Sequence, residues 1–182
     1  VNALRREADG SWTGDMFDGA GFVRGAENKG ERLRGRRVLM FGAGGAGSAI
    51  ACALAEAGVQ SIGIVDPQAD RVDALVRALH DAFPECKLAA ATSKTAEIDM
   101  VINASPVGMR PDDGLPGDIG PLPAGTLVGD VVITQSPTAL IRHALANGCR
   151  CITGRDMHAG QVDAIMNFLV PGAPPAGSAS GH

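Results

Sequence analysis

Aromatic residues make up only 3% of this 182-residue sequence, which has no tyrosine and a single tryptophan. Hydrophobic residues nevertheless reach 45%, a content that excludes a chain too polar to fold. The core must therefore consist mainly of aliphatic side chains, as is typical of parallel strands covered by alanine-rich helices. The length is sufficient for one domain with a substantial core.

Other absences narrow the possible partners. The sequence has no run of 18 apolar residues and no signal-peptide pattern, so we expect no membrane partner and a cytoplasmic location. A net charge of −4 argues against a general nucleic-acid surface. The one basic cluster is interpreted as a solvated segment, with phosphate binding as the alternative; it comprises Arg32, Arg34, Arg36 and Arg37.

Cysteine spacing gives no sign of a metal site. The four cysteines form neither a C-x-x-C pair nor a zinc ligand set; they are Cys52, Cys86, Cys149 and Cys151. Cys149 and Cys151 are two residues apart in an apolar run, so they would share one face of a strand. We expect buried free thiols, no metal and a reducing compartment.

A glycine-rich segment follows a run of four apolar residues. Val38 to Phe41 lead directly into the spacing G-x-G-x-x-G, and an Ala- and Leu-rich helical segment follows. These glycines permit a tight turn, the approach of a pyrophosphate to the backbone and close helix packing. The segment predicts dinucleotide binding, with a purely structural turn as the alternative. The candidate cofactor-binding residues are Gly42, Ala43, Gly44, Gly45, Ala46 and Gly47.

Strand and helix patterns alternate regularly from residue 37 onward. The predicted strands are 37–41, 61–66, 87–92, 100–104, 127–133 and 149–152, and the predicted helices are 45–57, 69–83, 138–146 and 157–169. A loop rich in Pro, Gly and Asp covers 105–125. Strands that alternate with helices favour right-handed crossovers and a parallel sheet. The predicted fold class is therefore α/β, a Rossmann-type doubly wound parallel sheet with helices on both faces.

The ends of the chain differ from this pattern. Residues 2–14 are typical of a hairpin with a turn at Asp9-Gly10, and such a short hairpin requires something to pack on. A helix that links it to the sheet is expected over 18–30, with Asp18 as a cap or first-turn acid. The expected sheet domain covers 31–154, a last helix spans 155–170, and 171–182 is a flexible tail of low complexity.

Asp66 ends the second predicted strand, 19 residues after Gly47. An acid at this position can accept hydrogen bonds from the hydroxyls of the adenine ribose, and its charge repels a 2′-phosphate. The prediction is therefore NAD in preference to NADP. Arg71 leaves NADP open, because a nearby arginine can accommodate the phosphate. The alternative for Asp66 is a role only in starting the turn with Pro67.

The fourth predicted strand runs into a loop that we expect beneath the nicotinamide half of the cofactor. Ligands of open parallel sheets lie beyond the carboxyl ends of the strands, where this loop begins. Its candidate cofactor-binding residues are Asn103, Ala104, Ser105, Val107 and Met109. Asn103 and Ser105 are equally typical of capping or turn residues, and Met109 of plain packing.

Several of these segments together resemble the shikimate/quinate dehydrogenase family. They are Asn2-Ala3-Leu4, Gly14 to Phe22, Gly42 to Gly47, Ile102 to Met109, Gly129 to Val132, and Met157 to Gln161. The resemblance implies that residues 1–17 are a remnant of an N-terminal substrate domain and that 155–170 packs back toward it. It also implies reversible hydride transfer between NAD(P) and a hydroxyl of a cyclic hydroxy acid, by a monomer or homodimer.

The same resemblance implies residue roles. Asn2 and Gln161 match substrate-binding amides, and Asp18 matches the aspartate of a catalytic Lys-Asp pair that also binds substrate. Val132, Gly154 and Met157 are implied cofactor contacts, although Met157 suits packing equally well. The catalytic lysine has no counterpart, since Lys29, Lys87 and Lys94 stand in other contexts.

Departures from the family pattern leave the substrate open. Met16-Phe17 stand where the family has Asn-Thr, Ile133 where a tyrosine is usual and Gln135 where a proline is usual. We expect a bulkier, less polar pocket floor, which favours a less hydroxylated or differently shaped acid over shikimate itself. Quinate is the alternative substrate, because a preference for NAD fits catabolic use. Asp66-Pro67-Gln68 replaces the Asn-Arg-Thr of NADP-dependent members, which favours NAD. A non-catalytic NAD-binding or regulatory module is the alternative function.

Overall fold

The computed structural model describes residues 1–91 and 98–170. Its elements in chain order are β1 (Ala3–Arg6), β2 (Trp12–Asp15), α1 (Asp18–Asn28), β3 (Arg37–Phe41), α2 (Gly45–Glu56), β4 (Ser61–Val65), α3 (Ala69–His80), β5 (Lys87–Ala90), β6 (Met100–Asn103), β7 (Leu127–Asp130), α4 (Ala139–Ala146), β8 (Arg150–Ile152) and α5 (Gly154–Leu169). The end of the expected strand at Thr92, together with Lys94 and the expected tail 171–182, lies outside the described residues.

Six strands form one parallel sheet in the order β5-β4-β3-β6-β7-β8, and β1 pairs with β2 in a separate antiparallel hairpin. The chain enters the sheet in the middle at β3, moves outward to β5, and then returns to the other side of β3 with β6. This reversal of direction is the switch point of a doubly wound sheet, beyond whose carboxyl edge ligands bind. The expected α/β Rossmann-type fold class is confirmed.

Side chains of β3 alternate between two hydrophobic cores because successive strand residues point to opposite faces. Val38 and Met40 pack in the larger core, which α1, α2, α3 and α5 help to cover. Leu39 and Phe41 pack in the second core, which α4 covers on one side. The β6–β7 connection contributes Ile119 and Leu122 to that second core, so buried loop side chains cover part of this face.

Helix α1 is locked against α5 by glycines. A Cβ added at Gly21 would lie 2.7 Å from the carbonyl oxygen of Met157, and one at Gly160 would lie 2.9 Å from the backbone nitrogen of Gly25. On its other side α1 abuts α2, where a Cβ at Gly19 would lie 2.8 Å from the carbonyl carbon of Ala49. Larger residues would force these backbones apart, so the glycines set the separation of all three helices.

Helix α5 begins at Gly154, three residues before the predicted start at Met157. The reason is a capping box: the Thr153 hydroxyl accepts a hydrogen bond from the Asp156 backbone at 3.3 Å, and the Asp156 carboxylate accepts one from the Thr153 backbone at 2.7 Å. Burial alone would raise the pKa of Asp156, but hydrogen bonds from Lys29 and Thr153 lower it below its ordinary value. Lys29 is thereby engaged in an ion pair at 2.9 Å.

Two arginines of the basic cluster form ion pairs with nearby acidic residues. Arg36 contacts Glu31 at 3.2 Å, and Arg37 contacts Asp99 at 2.9 Å. The four cysteines are free thiols, and burial raises the pKa of Cys86, Cys149 and Cys151. Across residues 1–91 and 98–170, no helix has both the length and the apolar character needed to cross a membrane.

Candidate functional site

A cleft of about 760 Å³ opens at the carboxyl ends of β3, β4 and β6, where the switch point of the sheet lies. Its volume is in the range of small-molecule and cofactor sites. Most of the predicted cofactor-binding residues line it: Gly42, Gly44, Gly45, Ala46, Asp66, Arg71, Ala104, Ser105, Val107 and Met109. The structure therefore brings the glycine loop, the acid after β4 and the loop after β6 into one cavity.

Each glycine of the loop has a different environment. Gly42 adopts φ +103°, and a Cβ there would lie 2.6 Å from the carbonyl oxygen of Ala104. At Gly47 an added Cβ would collide with the carbonyl of Gly42. Gly44 has an ordinary φ of −77°, and no residue other than its chain neighbours has an atom within 4 Å of an added Cβ. Backbone packing thus requires glycine at positions 42 and 47. At Gly44 it does not, and the space that a side chain would fill is empty and lies within the cleft.

That empty space faces the beginning of α2. The first N–H groups of a helix have no partner within the helix, and the helix dipole makes this end favourable for an anion. Gly44 is the residue that precedes the first turn of α2. The residues present therefore fit a dinucleotide whose pyrophosphate lies against Gly44 and the start of α2.

Asp66 follows directly after β4 and lies against the glycine loop. One carboxylate oxygen accepts a hydrogen bond from the Ala43 backbone at 2.8 Å, and the other accepts one from the Gln68 backbone at 2.9 Å. Asp66 therefore does shape the turn, and it lines the cleft as well. A carboxylate oxygen has more than one lone pair, so both oxygens can still accept ribose hydroxyls.

The loop after β6 is held from below by Asn103, whose side chain is fully buried. Its amide nitrogen donates to the Val107 carbonyl at 2.8 Å, and its amide oxygen accepts from the Ser105 hydroxyl at 2.6 Å. Asn103 thus performs the turn role considered from the sequence, while Ser105 and Val107 line the cleft. Met109, in the first part of this loop, is 65% exposed.

Three implied cofactor contacts lie elsewhere. Met157 is 7% exposed and packs in the larger core with Phe22, so packing accounts for it. Gly154 is buried as the first residue of α5, where an added Cβ would lie 2.5 Å from the Val131 carbonyl oxygen. Val132 is also buried, and neither residue is among the cleft-lining set.

The three predicted substrate residues meet although they are far apart in sequence. Asn2 and Gln161 each donate a side-chain amide hydrogen bond to the same carboxylate oxygen of Asp18, both at 2.9 Å. Asn2 also accepts one from the Phe17 backbone at 2.9 Å. Among the described residues the second oxygen of Asp18 has no hydrogen-bond partner, so it is available to a ligand or a proton-transfer group.

The substituted positions Met16 and Phe17 point in different directions. The Phe17 ring packs on Phe168 of α5 with centroids 5.4 Å apart, so it belongs to the contact between the hairpin and α5. Arg5 lies over the same Phe168 ring at 4.9 Å. The Met16 methyl lies 3.8 Å from where a Gly45 Cβ would be, which places it beside the cofactor loop.

Ile133 and Gln135 line a second cavity, of about 530 Å³, beside the first. Met109 lines both cavities, so they adjoin at the loop after β6. Ile133 is 54% exposed there. The substitutions at 133 and 135 therefore alter a cavity next to the expected nicotinamide position. In the part of the chain that the structure describes, no group of three potential metal ligands occurs.

Several further residues of the cleft are not among those predicted from the sequence. Val65, Gln68, Pro106, Pro116 and Val131 also line the cavity. Gln68 and Pro106 adjoin predicted residues, so extending each motif by one or two positions would have found them. Pro116 reaches the cleft because the long β6–β7 connection folds back, and no local pattern indicates that return.

Comparison with known proteins agrees with this arrangement. A family model described as the ThiF family matches residues 21–109, which contain the glycine loop and β6. The shikimate dehydrogenase (NADP(+)) of Arthrobacter sp. strain FB24 is 36% identical over 168 residues, covering 88% of this chain and 57% of that protein.

Solved structures extend the comparison. Quinate dehydrogenase from Corynebacterium glutamicum in complex with NAD aligns with a TM-score of 0.81 and 31% identity, covering 94% of this chain and 62% of that one. The 5-ketofructose reductase of Gluconobacter sp. strain CHM43 aligns with a TM-score of 0.80 and 30% identity. The alignment covers 93% of this chain and 62% of that one. The chain thus spans about three fifths of the length of the relatives it matches. The family resemblance inferred from the motifs is confirmed.

Proposed function

Because this chain belongs to the shikimate/quinate dehydrogenase family, we propose that it carries the cofactor half of an NAD(P)-dependent alcohol dehydrogenase. The reaction is reversible hydride transfer between nicotinamide and a hydroxyl of a cyclic hydroxy acid. The observation that carries this proposal is the cluster of Asn2, Asp18 and Gln161. Asp18 begins α1, and α1 packs against α2, the helix that starts at the cofactor cleft. Asn2 and Gln161 hold one oxygen of Asp18 and leave the other available.

In the proposed cofactor site, different parts of the cleft bind the adenine, pyrophosphate and nicotinamide portions of the dinucleotide. Gly44 and the start of α2 bind the pyrophosphate, Asp66 binds the adenine ribose, and Ser105 and Val107 face the nicotinamide half. When bound, the cofactor supplies or accepts the hydride, and the protein supplies orientation and proton transfer. Asp18 orients the proton-transfer group, which the family resemblance implies is a lysine. Lys29 is engaged with Asp156 instead.

We propose NAD as the preferred cofactor. A 2′-phosphate would lie near the Asp66 carboxylate, whose charge opposes it, whereas two hydroxyls of an unphosphorylated ribose can donate to that carboxylate. Arg71 also lines the cleft and would partly offset the repulsion. The four free thiols support a reducing cytoplasmic location for this enzyme.

Calorimetric titration of the full-length protein with NAD⁺ and NADP⁺ tests the cofactor proposal. The parent should bind NAD⁺ more tightly than NADP⁺. Asp66→Asn should reduce this difference in affinity, because it removes the negative charge that repels the 2′-phosphate. Asp70→Asn is the matched control, since Asp70 is an exposed acid four residues away that does not line the cleft. A parent that binds NADP⁺ as tightly as NAD⁺ contradicts the proposed preference.

Steady-state assays of the full-length protein test the reaction. Shikimate, quinate and simpler cyclic hydroxy acids should be supplied with each cofactor, and reduction of the cofactor followed by absorbance. Turnover of at least one cyclic hydroxy acid supports the proposal. Tight NAD⁺ binding without turnover of any of these acids would instead favour the non-catalytic module.

A further inference from the structure

Asp130 ends β7 as a buried carboxylate that is only 1% exposed. One oxygen accepts hydrogen bonds from the Asn103 amide and the Val132 backbone, each at 3.0 Å. The other accepts one from the Thr138 hydroxyl at 2.6 Å. Among the described residues, no lysine or arginine pairs with it, so three dipoles rather than a counter-charge stabilise this group.

Burial raises the pKa of Asp130, while the hydrogen bonds from Thr138, Val132 and Asn103 oppose that rise. A buried ionised group without a counter-charge is costly and is retained only where its geometry is well compensated. All three partners are donors, and a carboxylate is the side chain that accepts from all three at once. An amide at this position would present its own N–H group to one of them.

Each partner of Asp130 belongs to a different segment. Asn103 is the residue that holds the loop after β6 through Ser105 and Val107. Val132 lies in the segment after β7. Thr138 caps α4, since its hydroxyl accepts a hydrogen bond from the Ile141 backbone at 3.2 Å. The carboxylate therefore joins the ends of two neighbouring strands and the start of a helix.

These segments form one side of the cofactor cleft. Ser105, Val107 and Val131 line that side, whereas Asp66 and Arg71 line the other. A dinucleotide whose adenine ribose lies at Asp66 and whose pyrophosphate lies at Gly44 extends its nicotinamide toward the Ser105 side. Asp130 is thus bonded to the segments that form the Ser105 side of the cleft, the side assigned to the nicotinamide half, and not to the Asp66 side.

We propose that Asp130 is a positioning residue for the nicotinamide half of the cofactor. It acts through Asn103 and the segment at Val132, which fix the wall facing the nicotinamide, and it has no contact with the ligand itself. This inference rests on the dinucleotide site of the proposed function. Its specific consequence is that loss of the network weakens binding of the nicotinamide portion and spares the adenine portion.

Titration of the full-length protein with NAD⁺ and with ADP-ribose, which lacks nicotinamide, tests this inference. Asp130→Asn should weaken NAD⁺ binding about tenfold, as expected for one disrupted buried hydrogen bond, and change ADP-ribose binding by less than about twofold. A general loss of structure would weaken both ligands equally. The ratio of the two affinities therefore separates positioning from overall stability.

The Thr138 pair gives a second measurement if Asp130→Asn does not fold. Thr138→Val removes the hydroxyl at nearly constant shape and should lower the ratio of NAD⁺ affinity to ADP-ribose affinity. Thr138→Ser retains the hydroxyl and should show the ratio of the parent protein. Equal losses of affinity for NAD⁺ and ADP-ribose, or no loss for either ligand, overturn this inference and leave the proposed function standing. A parent protein that binds neither ligand overturns the proposed function, and the inference with it.

Discussion

Replacement of Gly44 by alanine should separate cofactor binding from stability. Gly44 has φ −77° and ψ −167°, a region that alanine adopts readily. No residue other than the two chain neighbours has an atom within 4 Å of the added Cβ. We therefore expect the free energy of unfolding to be unchanged or to rise by about 0.4–1 kcal/mol, because alanine restricts the unfolded chain.

The same methyl group would enter the space assigned to the pyrophosphate. An extra methyl in a filled site typically costs about 1–3 kcal/mol, which corresponds to roughly a 5- to 150-fold weaker affinity. Isothermal titration calorimetry with NAD⁺ measures this loss, and urea denaturation measures the stability. Nicotinamide riboside, which carries neither phosphate of the pyrophosphate, should bind the variant and the parent equally.

Gly114→Ala is the matched control for this prediction. A Cβ at Gly114 likewise has no atom within 4 Å apart from those of its chain neighbours, and this residue does not line the cleft. It should leave NAD⁺ affinity unchanged. Equal NAD⁺ affinity of Gly44→Ala and the parent would refute the assignment of this space to the pyrophosphate. A loss of more than about 1 kcal/mol of stability would refute the absence of steric conflict, since the added Cβ would then meet protein atoms.

Three further predictions concern other parts of the molecule. Gly160→Ala should destabilise the fold by about 1–3 kcal/mol in urea denaturation, because its Cβ would enter the α1–α5 contact; a more stable variant would contradict that close packing. Asp18→Asn in the full-length protein should lower kcat at least about 100-fold with NAD⁺ affinity unchanged, and an unaltered kcat would remove Asp18 from proton transfer. Asp156→Asn should cost about 1 kcal/mol at pH 7 through the weakened helix cap. Since the folded-state pKa of Asp156 lies below its ordinary 3.8, this difference should persist above pH 3.8 and vanish as the pH falls through the folded-state pKa; a difference that is constant with pH would exclude the carboxylate charge as its cause.

Local patterns were sufficient to predict the order and type of the elements. The strands are short apolar runs and the helices have clear periodicity, so their order and type follow from nearby residues. Their ends are less well predicted, since β7 ends at Asp130 instead of residue 133 and α3 ends at His80 instead of residue 83. The start of α5 was missed because Gly154 disfavours a helix in isolation, whereas the Thr153–Asp156 capping box stabilises one. That pair was visible in the sequence as a threonine followed three residues later by an acid.

The candidate site was less predictable because it depends on contacts between distant segments. The family motifs supplied Asn2, Asp18 and Gln161, but their spacing along the chain does not indicate that both amides meet one carboxylate oxygen. Asp130 likewise shows no local signal of its three partners. Pro116 reaches the cleft only through the fold of a long connection.

The glycine contacts of α1 have a consequence for protein engineering. This helix begins at Asp18, and its glycines fit against α2 on one side and α5 on the other. A shift of α1 by one residue along its axis would replace each glycine contact by a collision, so the helix has a single permitted register. The spacing between the acid and the cofactor loop is therefore set by backbone packing. Libraries that aim at a new substrate should leave α1 intact and vary Met16, whose side chain lies beside the cofactor loop, and Ile133, which lines the second cavity.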